Sequence, residues 1–168
     1  MSEIQRAKIA FKILNKIYPR IRVPLKSRNT FTLLISVLLS AQCTDVNVNN
    51  VTRKIYPKYY TPQHFKKLGR IKIEKLIKKI GIFRIKAKSI YNLSQMLVEN
   101  YKGKVPRSFE DLEKLPGVGH KTASVVMSQG FGFPAFPIDT HIHRLAQRWG
   151  LTNGKNVVQT EKDLKRLF

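Results

Sequence analysis

Leu112-Glu113-Lys114-Leu115-Pro116-Gly117-Val118-Gly119-His120-Lys121-Thr122 is the stretch that decides the fold. It reads as the end of one helix, a tight glycine turn, and the start of a second helix running from Thr122 to Ser128. Two glycines around Val118 let the backbone turn sharply with its amides outward, and the helix start beyond them adds partial positive charge. Such a turn can hold a phosphate without any side chain, so it grips a nucleic-acid backbone independently of sequence. Taken alone, Pro-Gly-x-Gly is more often an ordinary interhelical turn. Residues further along the chain, Lys121 and Asp139 above all, decide between the two.

Apolar residues recur at helical spacing on both sides of the turn: Ile9, Ile13 and Ile17; Phe31, Leu34, Ile35, Leu38 and Leu39; Ile73, Leu76, Ile77 and Ile80; Ile90, Leu93, Leu97 and Tyr101. Alternation of the strand type is nearly absent. Thr61 before Pro62 reads as an N-cap with a first-turn proline, Ser108 with Asp111 as a capping box, and Asn156 as the cap of a final helix. Breaks fall at Pro19 to Pro24, Pro57, Gly69, Gly81, Gly103 to Pro106, Pro116 to Gly119, Gly130 to Pro137 and Gly150 to Gly154. The expected fold is an all-α array of nine or ten short helices.

Among 168 residues there are 32 Lys plus Arg against 10 Asp plus Glu, a formal net charge of +22. Nucleic acid, an anionic membrane surface and acidic proteins all fit that excess, and an A+T-rich genome that inflates Lys, Ile and Asn fits it as well. The longest apolar run, Phe31 to Leu39, falls far short of the roughly 20 residues a membrane span needs. Arg6, Lys8, Lys12 and Lys16 are spread evenly where a signal peptide would have an apolar centre, so an intracellular protein is expected. Cys43 is the only cysteine; it can form no internal disulfide and reads as a small buried hydrophobe.

Lys121 stands just behind the glycine turn, at a helix start where the dipole disfavours an ammonium. To act as a nucleophile an amine must shed its proton, which a helix start, burial and neighbouring cations all promote. A solvated surface lysine is its plain alternative. Eighteen residues on, Ile138-Asp139-Thr140-His141 opens another helix with Asp139 at or near the N-cap. That carboxylate suits capping, and equally suits stabilising a cation that develops across a groove. His141 and His143, two residues apart, fall on different sides of a helix and do not suggest a metal; Asp45 caps or charges a helix start.

In this order the motifs resemble the endonuclease III family of helix-hairpin-helix DNA glycosylases. The resemblance runs from about Phe31 to the end and is carried by Leu38-Leu39-Ser40-Ala41-Gln42-Cys43-Thr44-Asp45, Ile80-Gly81-Ile82-Phe83 with Lys86-Ala87, Leu115 to Thr122, and Ile138-Asp139-Thr140-His141 with Arg144. It implies a base-excision enzyme that flips an oxidised pyrimidine out of duplex DNA, because the bond to be cut is unreachable within the stack. Lys121 would attack the anomeric carbon of the sugar and form an imine, and β-elimination would cut the strand. Asp139 would stabilise the cationic sugar and help deprotonate Lys121.

By the same resemblance Gln42 fills the gap left by the flipped base and Ile82 wedges the opposite strand, while Leu115, Gly117, Val118, Gly119, His120, Thr122, His141 and Arg144 contact DNA. The implied fold is a two-lobed helical array: a central domain over 23–132 that holds the hairpin, and a discontinuous second lobe from 1–22 and 133–168, with Phe131 to Pro137 as the crossing and DNA across the cleft. Relatives commonly hold a [4Fe-4S] cluster on Cys-x6-Cys-x2-Cys-x5-Cys near the C-terminus. Those cysteines are absent, so no cluster is expected, and the chain reads as truncated, a fragment or a clusterless variant. The expected partner is double-stranded damaged DNA, bound by a monomer with no membrane role, in the cytoplasm, nucleoid-associated as in bacteria, or otherwise intracellular. A non-catalytic helix-hairpin-helix DNA-binding module and a monofunctional glycosylase are the alternatives.

Overall fold

The computed structural model describes residues 1–19 and 24–168. Among the described residues nine α-helices succeed one another: α1 (Glu3–Ile17), α2 (Thr30–Ser40), α3 (Asp45–Ile55), α4 (Pro62–Leu76), α5 (Phe83–Asn100), α6 (Phe109–Glu113), α7 (His120–Val125), α8 (Thr140–Arg148) and α9 (Val157–Leu167). A π-helical turn, Val126–Gly130, extends α7. No strand occurs among the described residues, and no helix there is long and apolar enough to cross a membrane. The expected all-α fold is what is found.

Two compact units divide the chain, one made of Val23–Ala135 and one of Met1–Arg22 with Phe136–Phe168. The break expected at Pro19 to Pro24 falls largely outside the described residues, and so does the lobe boundary expected at 22/23.

In the larger unit α2 is central. Asn29 and Thr32 form a reciprocal capping box, Thr32 N–H donating to Asn29 Oδ1 at 2.8 Å and Asn29 N–H to Thr32 Oγ1 at 2.9 Å. Every residue from Phe31 to Leu39 is buried, as suits a helix apolar on all sides. Ile73, Ile90, Leu93 and Leu97 belong to the same core, each fully buried and each contributing roughly 1.5–3 kcal/mol by leaving water. Gly69, with φ 74° and ψ 159°, bends α4 in two, the break the sequence marks there. Ile77 and Ile80 lie past the end of α4 yet remain core.

The smaller unit packs α1, α8 and α9 around Ala7, Ile138, Ala146, Leu151 and Leu164. Glu3 pairs with Arg166 at 3.0 Å, and Arg6 Nε donates to the Gly150 carbonyl at 2.9 Å. The Ile9, Ile13 and Ile17 stripe, which periodicity marks as a core face, is instead 49–59% exposed. With Leu145 and Trp149 it lines an apolar groove, while the side of α1 that packs inward carries Ala7.

Three local expectations are corrected. The second hairpin helix begins at His120 rather than Thr122 and passes into the π-helical turn before Ser128. At α6 the Ser108 Oγ accepts from Asp111 N–H (3.1 Å), but Asp111 Oδ2 accepts from the serine hydroxyl (2.8 Å) and not from its backbone. Aspartate is one methylene shorter than the Glu of a full capping box, which explains the difference. Cys43 is half-buried and not a core hydrophobe, its Sγ accepting from Asn47 Nδ2 at 3.2 Å.

Candidate nucleic-acid interface

Within the larger unit three loops meet at the C-terminal end of α2. The first is the turn after α2. Ala41 is the C-cap and Gln42, exposed, comes next in the left-handed region at φ 54°. The second joins α4 to α5, where Ile82, 51% exposed, sits at φ 51° and ψ 36° as the N-cap of α5. Glycine takes that region freely, whereas a β-branched residue there is a true outlier and costs roughly 1–2 kcal/mol. Gln42, Ile82 and Lys102 are the only non-glycine residues with positive φ among those described. Two of the three are therefore residues that the family resemblance assigns to the DNA interface.

The two loops touch: a Cβ built on Gly81 would stand 3.6 Å from the Gln42 carbonyl. Asn47 at the start of α3 ties them further, its Nδ2 donating to the Lys79 carbonyl at 3.1 Å. Beneath them lies Lys86, 4% exposed, whose Nζ donates to the carbonyls of Leu39 (2.9 Å) and Ala41 (2.5 Å). The ammonium thus takes up carbonyls that the end of α2 leaves without helical partners, and it pins the backbone that leads into Gln42. Burial pushes its pKa below the ordinary lysine value. In the sequence Lys86 stands out only as part of a motif, although it falls in register with Ile90, Leu93 and Leu97 on the apolar face of α5. A lysine in a core register is the signal that marks it.

The third loop is the hairpin turn. Gly117 has φ 80°, and a Cβ on it would lie 2.9 Å from Ser89 Cβ and 3.2 Å from Leu38 Cδ1, so the turn rests directly on α5 and on the end of α2. Leu115 and Val118 are buried, 2% and 6% exposed, and belong to the core; their amides are spent inside the turn, Leu115 N–H donating to the Leu112 carbonyl (3.1 Å) and Val118 N–H to the Leu115 carbonyl (3.0 Å). Gly119, the N-cap of α7, differs: its φ is −93°, it is exposed, and nothing stands within 4 Å of a Cβ placed on it. His120 stacks on Phe109 with ring centroids 5.6 Å apart and meets Glu113 Oε1 through Nδ1 at 2.5 Å. Lys121 is exposed on the first turn of α7, and Thr122 beside it is half-buried.

In the smaller unit Asp139 is the N-cap of α8, its Oδ1 accepting from the backbone N–H groups of His141 (3.0 Å) and Ile142 (2.9 Å). His141 and Arg144 lie exposed on that helix, with Arg144 Nη2 and His141 Nδ1 3.3 Å apart. His143 faces elsewhere, its Nδ1 2.7 Å from Thr160 Oγ1. Asp45 stands in the first turn of α3 behind the N-cap Thr44, so it charges that helix start and does not cap it.

No group of three or more His, Cys, Asp or Glu among the described residues is placed to hold a metal. A [4Fe-4S] cluster needs four thiolates, and these 168 residues supply one, already engaged with Asn47. These residues alone do not supply that cofactor's ligands.

Comparison with known proteins agrees with the geometry. The model of the HhH-GPD superfamily of base excision DNA repair proteins matches residues 35–168. Endonuclease III of Rickettsia prowazekii is 43% identical over 158 residues, 94% of this chain and 74% of that protein. A solved non-covalent endonuclease III–DNA complex superposes with a TM-score of 0.93 at 41% identity, covering 100% of this chain and 79% of that one. A trapped endonuclease III–DNA covalent intermediate matches with the same score, identity and coverage. With an exposed lysine behind a glycine hairpin turn, and identity that extends over nearly its whole length, the chain belongs to the HhH-GPD superfamily of base excision DNA repair proteins, as a DNA glycosylase of the endonuclease III group.

Proposed function

We propose that this chain flips an oxidised pyrimidine out of duplex DNA, removes it, and cuts the resulting abasic strand, with Lys121 as nucleophile and Asp139 as its carboxylate partner. Gln42 and Ile82 enter the duplex together, and their strained, exposed backbones hold the two side chains outward before DNA arrives, so that little ordering is left for the moment of binding. The hairpin turn takes a phosphate of the lesion strand through the glycine amides on either side of Val118, whose own amide is bonded to the Leu115 carbonyl, and the open space at Gly119 lets that phosphate approach the backbone closely. His141 and Arg144 add contacts from the smaller unit.

The Lys121 amine then attacks the anomeric carbon; the carbon–nitrogen bond to the base breaks and the base leaves with the bonding pair. Loss of the remaining amine proton and ring opening give an imine, abstraction of a C2′ proton expels the 3′ phosphate, and water releases Lys121. Asp139, its carboxylate oriented by two backbone amides of α8, stabilises the cationic sugar and accepts the proton that Lys121 sheds. The enzyme acts as a cytoplasmic monomer on double-stranded DNA.

The observation that carries this reading is Lys121 exposed directly behind the hairpin turn, in a chain 41% identical to an endonuclease III caught covalently on DNA. Borohydride reduces an imine to a stable cross-link. Incubated with abasic duplex and borohydride, the chain should become linked to DNA, and Lys121→Ala should abolish the link. On a duplex that carries an oxidised pyrimidine, binding with neither cross-link nor base release would make the chain a DNA-binding module, and base release without strand cutting would make it a monofunctional glycosylase.

A further inference from the structure

Away from the hairpin, a groove of about 770 Å³ runs between α3 and the end of α4. Arg53 and Lys54 line it from α3, and Lys75, Lys78 and Lys79 from α4 and the turn beyond; all five are exposed. Val51, Ile55 and Leu76 form its floor, Asn47 and Asn50 its remaining polar wall, and no carboxylate lines it. Glu74 is engaged by Arg70 at 2.8 Å. A second depression of about 410 Å³ shares Asn50 and Arg53 and adds Lys26 and Arg28, so the cationic face continues past the first groove. Cations near helix C-termini complement the dipole, which accounts for Arg53, Lys54 and Lys75 singly. It does not account for Lys78 and Lys79, which lie beyond the helix and join the same concavity. Five like charges gathered over an apolar floor repel one another until an anion lies among them.

We propose that this groove is a second phosphate-binding surface, which holds the sugar-phosphate backbone of the duplex flanking the lesion. Position selects the partner. The groove begins at Lys78 and Lys79, next to Gly81 and Ile82, and Asn47 binds the Lys79 carbonyl across its mouth. A duplex entered by Gln42 and Ile82 therefore meets these cations as it leaves the site, and a polyanion with evenly spaced charges matches a track of cations. The inference rests on the reading of Gln42 and Ile82 as the residues that enter DNA.

The test uses the full chain with Arg53→Gln, Lys54→Gln and Lys75→Gln combined, leaving Lys78 and Lys79 beside the inserting loop intact. Binding to undamaged duplex is measured across salt concentrations. Each phosphate no longer neutralised lowers the slope of log affinity against log salt by about 0.9, so the triple variant should lose a slope of roughly 2–3. Arg53→Lys, Lys54→Arg and Lys75→Arg combined should restore it, and Lys8→Gln, Lys12→Gln and Lys16→Gln on α1, an equal charge change, should shift it by less than about 1. On a short duplex that ends near the lesion, parent and triple variant should bind alike. An unchanged slope, an equal loss in the α1 variant, or an equal deficit on short and long duplexes would each overturn the proposal. Borohydride trapping is scored separately: a parent that binds yet never cross-links sinks the catalytic reading and leaves the slope measurement intact.

Discussion

Replacing Ile82 by glycine should leave stability almost unchanged while weakening activity, a combination that neither a core residue nor an idle surface residue would give. The left-handed backbone at φ 51° costs isoleucine roughly 1–2 kcal/mol, and glycine removes that cost. Against it stand the extra chain entropy of glycine, about 0.5–1 kcal/mol, and the lost burial of the half of the side chain that is covered, about 1 kcal/mol. The net lies within about 1 kcal/mol of zero, a shift of a few degrees at most in the unfolding midpoint of a chain this size. Truncating a buried isoleucine would instead cost about 2–5 kcal/mol. If Ile82 helps to open the duplex, its loss should be felt where a base pair must be broken, an event of a few kcal/mol. For a paired lesion kcat/KM should fall by about 10- to 100-fold, or roughly 1.4–2.8 kcal/mol. For the same lesion opposite a gap the fall should be small. Thermal unfolding with steady-state base release on both substrates checks this. A large drop in the midpoint would make Ile82 structural, and equal losses on both substrates would refute the wedge.

Lys86→Met removes two charge-assisted hydrogen bonds and leaves the Leu39 and Ala41 carbonyls short of donors, so it should destabilise by about 2–4 kcal/mol in urea unfolding, partly offset by the relief of burying a charge. Burial lowers the Lys86 pKa, so the unfolded chain binds more protons as pH approaches 10.5 from below; the stability of the parent should rise through that window and the rise should vanish in Lys86→Met. Gly117→Ala should cost roughly 2–4 kcal/mol, from positive φ and the Ser89 and Leu38 contacts, whereas Gly119→Ala should leave the stability within about 1 kcal/mol of the parent and weaken duplex binding by filling the open approach. Asp111, held below the ordinary aspartate value of 3.8 by the Ser108 hydroxyl and then by Lys114, and Asp163, held there by Thr152 and then Gln159, favour the fold above that value. Their contribution should disappear as pH falls below 3.8, and Asp111→Asn should flatten that part of the acid-unfolding curve.

Much of the fold is legible in the sequence because local physics and tertiary structure agree there. The Phe31 to Leu39 run reads as a helix and becomes the buried α2; Thr61 with Pro62, Asp139 and Asn156 begin α4, α8 and α9. Agreement ends where distant contacts decide. Over the five residues Val126 to Gly130 a helical period and the wider π period mark the same side chains, so the π-helical turn leaves no trace in apolar spacing. The Ile9, Ile13 and Ile17 stripe has the correct period, but periodicity only says that a face is apolar and not that something covers it. At the site, motif order picks out Gln42 and Ile82, yet the backbone leading into each is held by a side chain from another element, Ala41 by Lys86 of α5 and Lys79 by Asn47 of α3.

Helix starts point the same way from the other side. Ser2, Asn29, Thr44, Thr61, Ser108, Asp139 and Asn156 each cap their helix with a side-chain oxygen. Among the nine described α-helices only α5 and α7 begin without such a bond, at Ile82 and Gly119. A capping side chain contributes about 1 kcal/mol over an apolar residue but only a few tenths over glycine, so α5 forgoes more than α7. The end of α2 makes a parallel sacrifice, since Gln42 occupies the left-handed position after the C-cap where glycine is favoured. These departures from local rules adjoin one another in one unit, and they include the two side chains assigned to enter the duplex and the open glycine near Lys121. Seven starts take a side-chain cap and these two do not, which is the pattern expected if positions 82 and 119 face DNA as proposed. On the proposed function, a polar cap at 82 would replace the apolar side chain meant to enter the duplex, and a side chain at 119 would fill the open space meant for a phosphate.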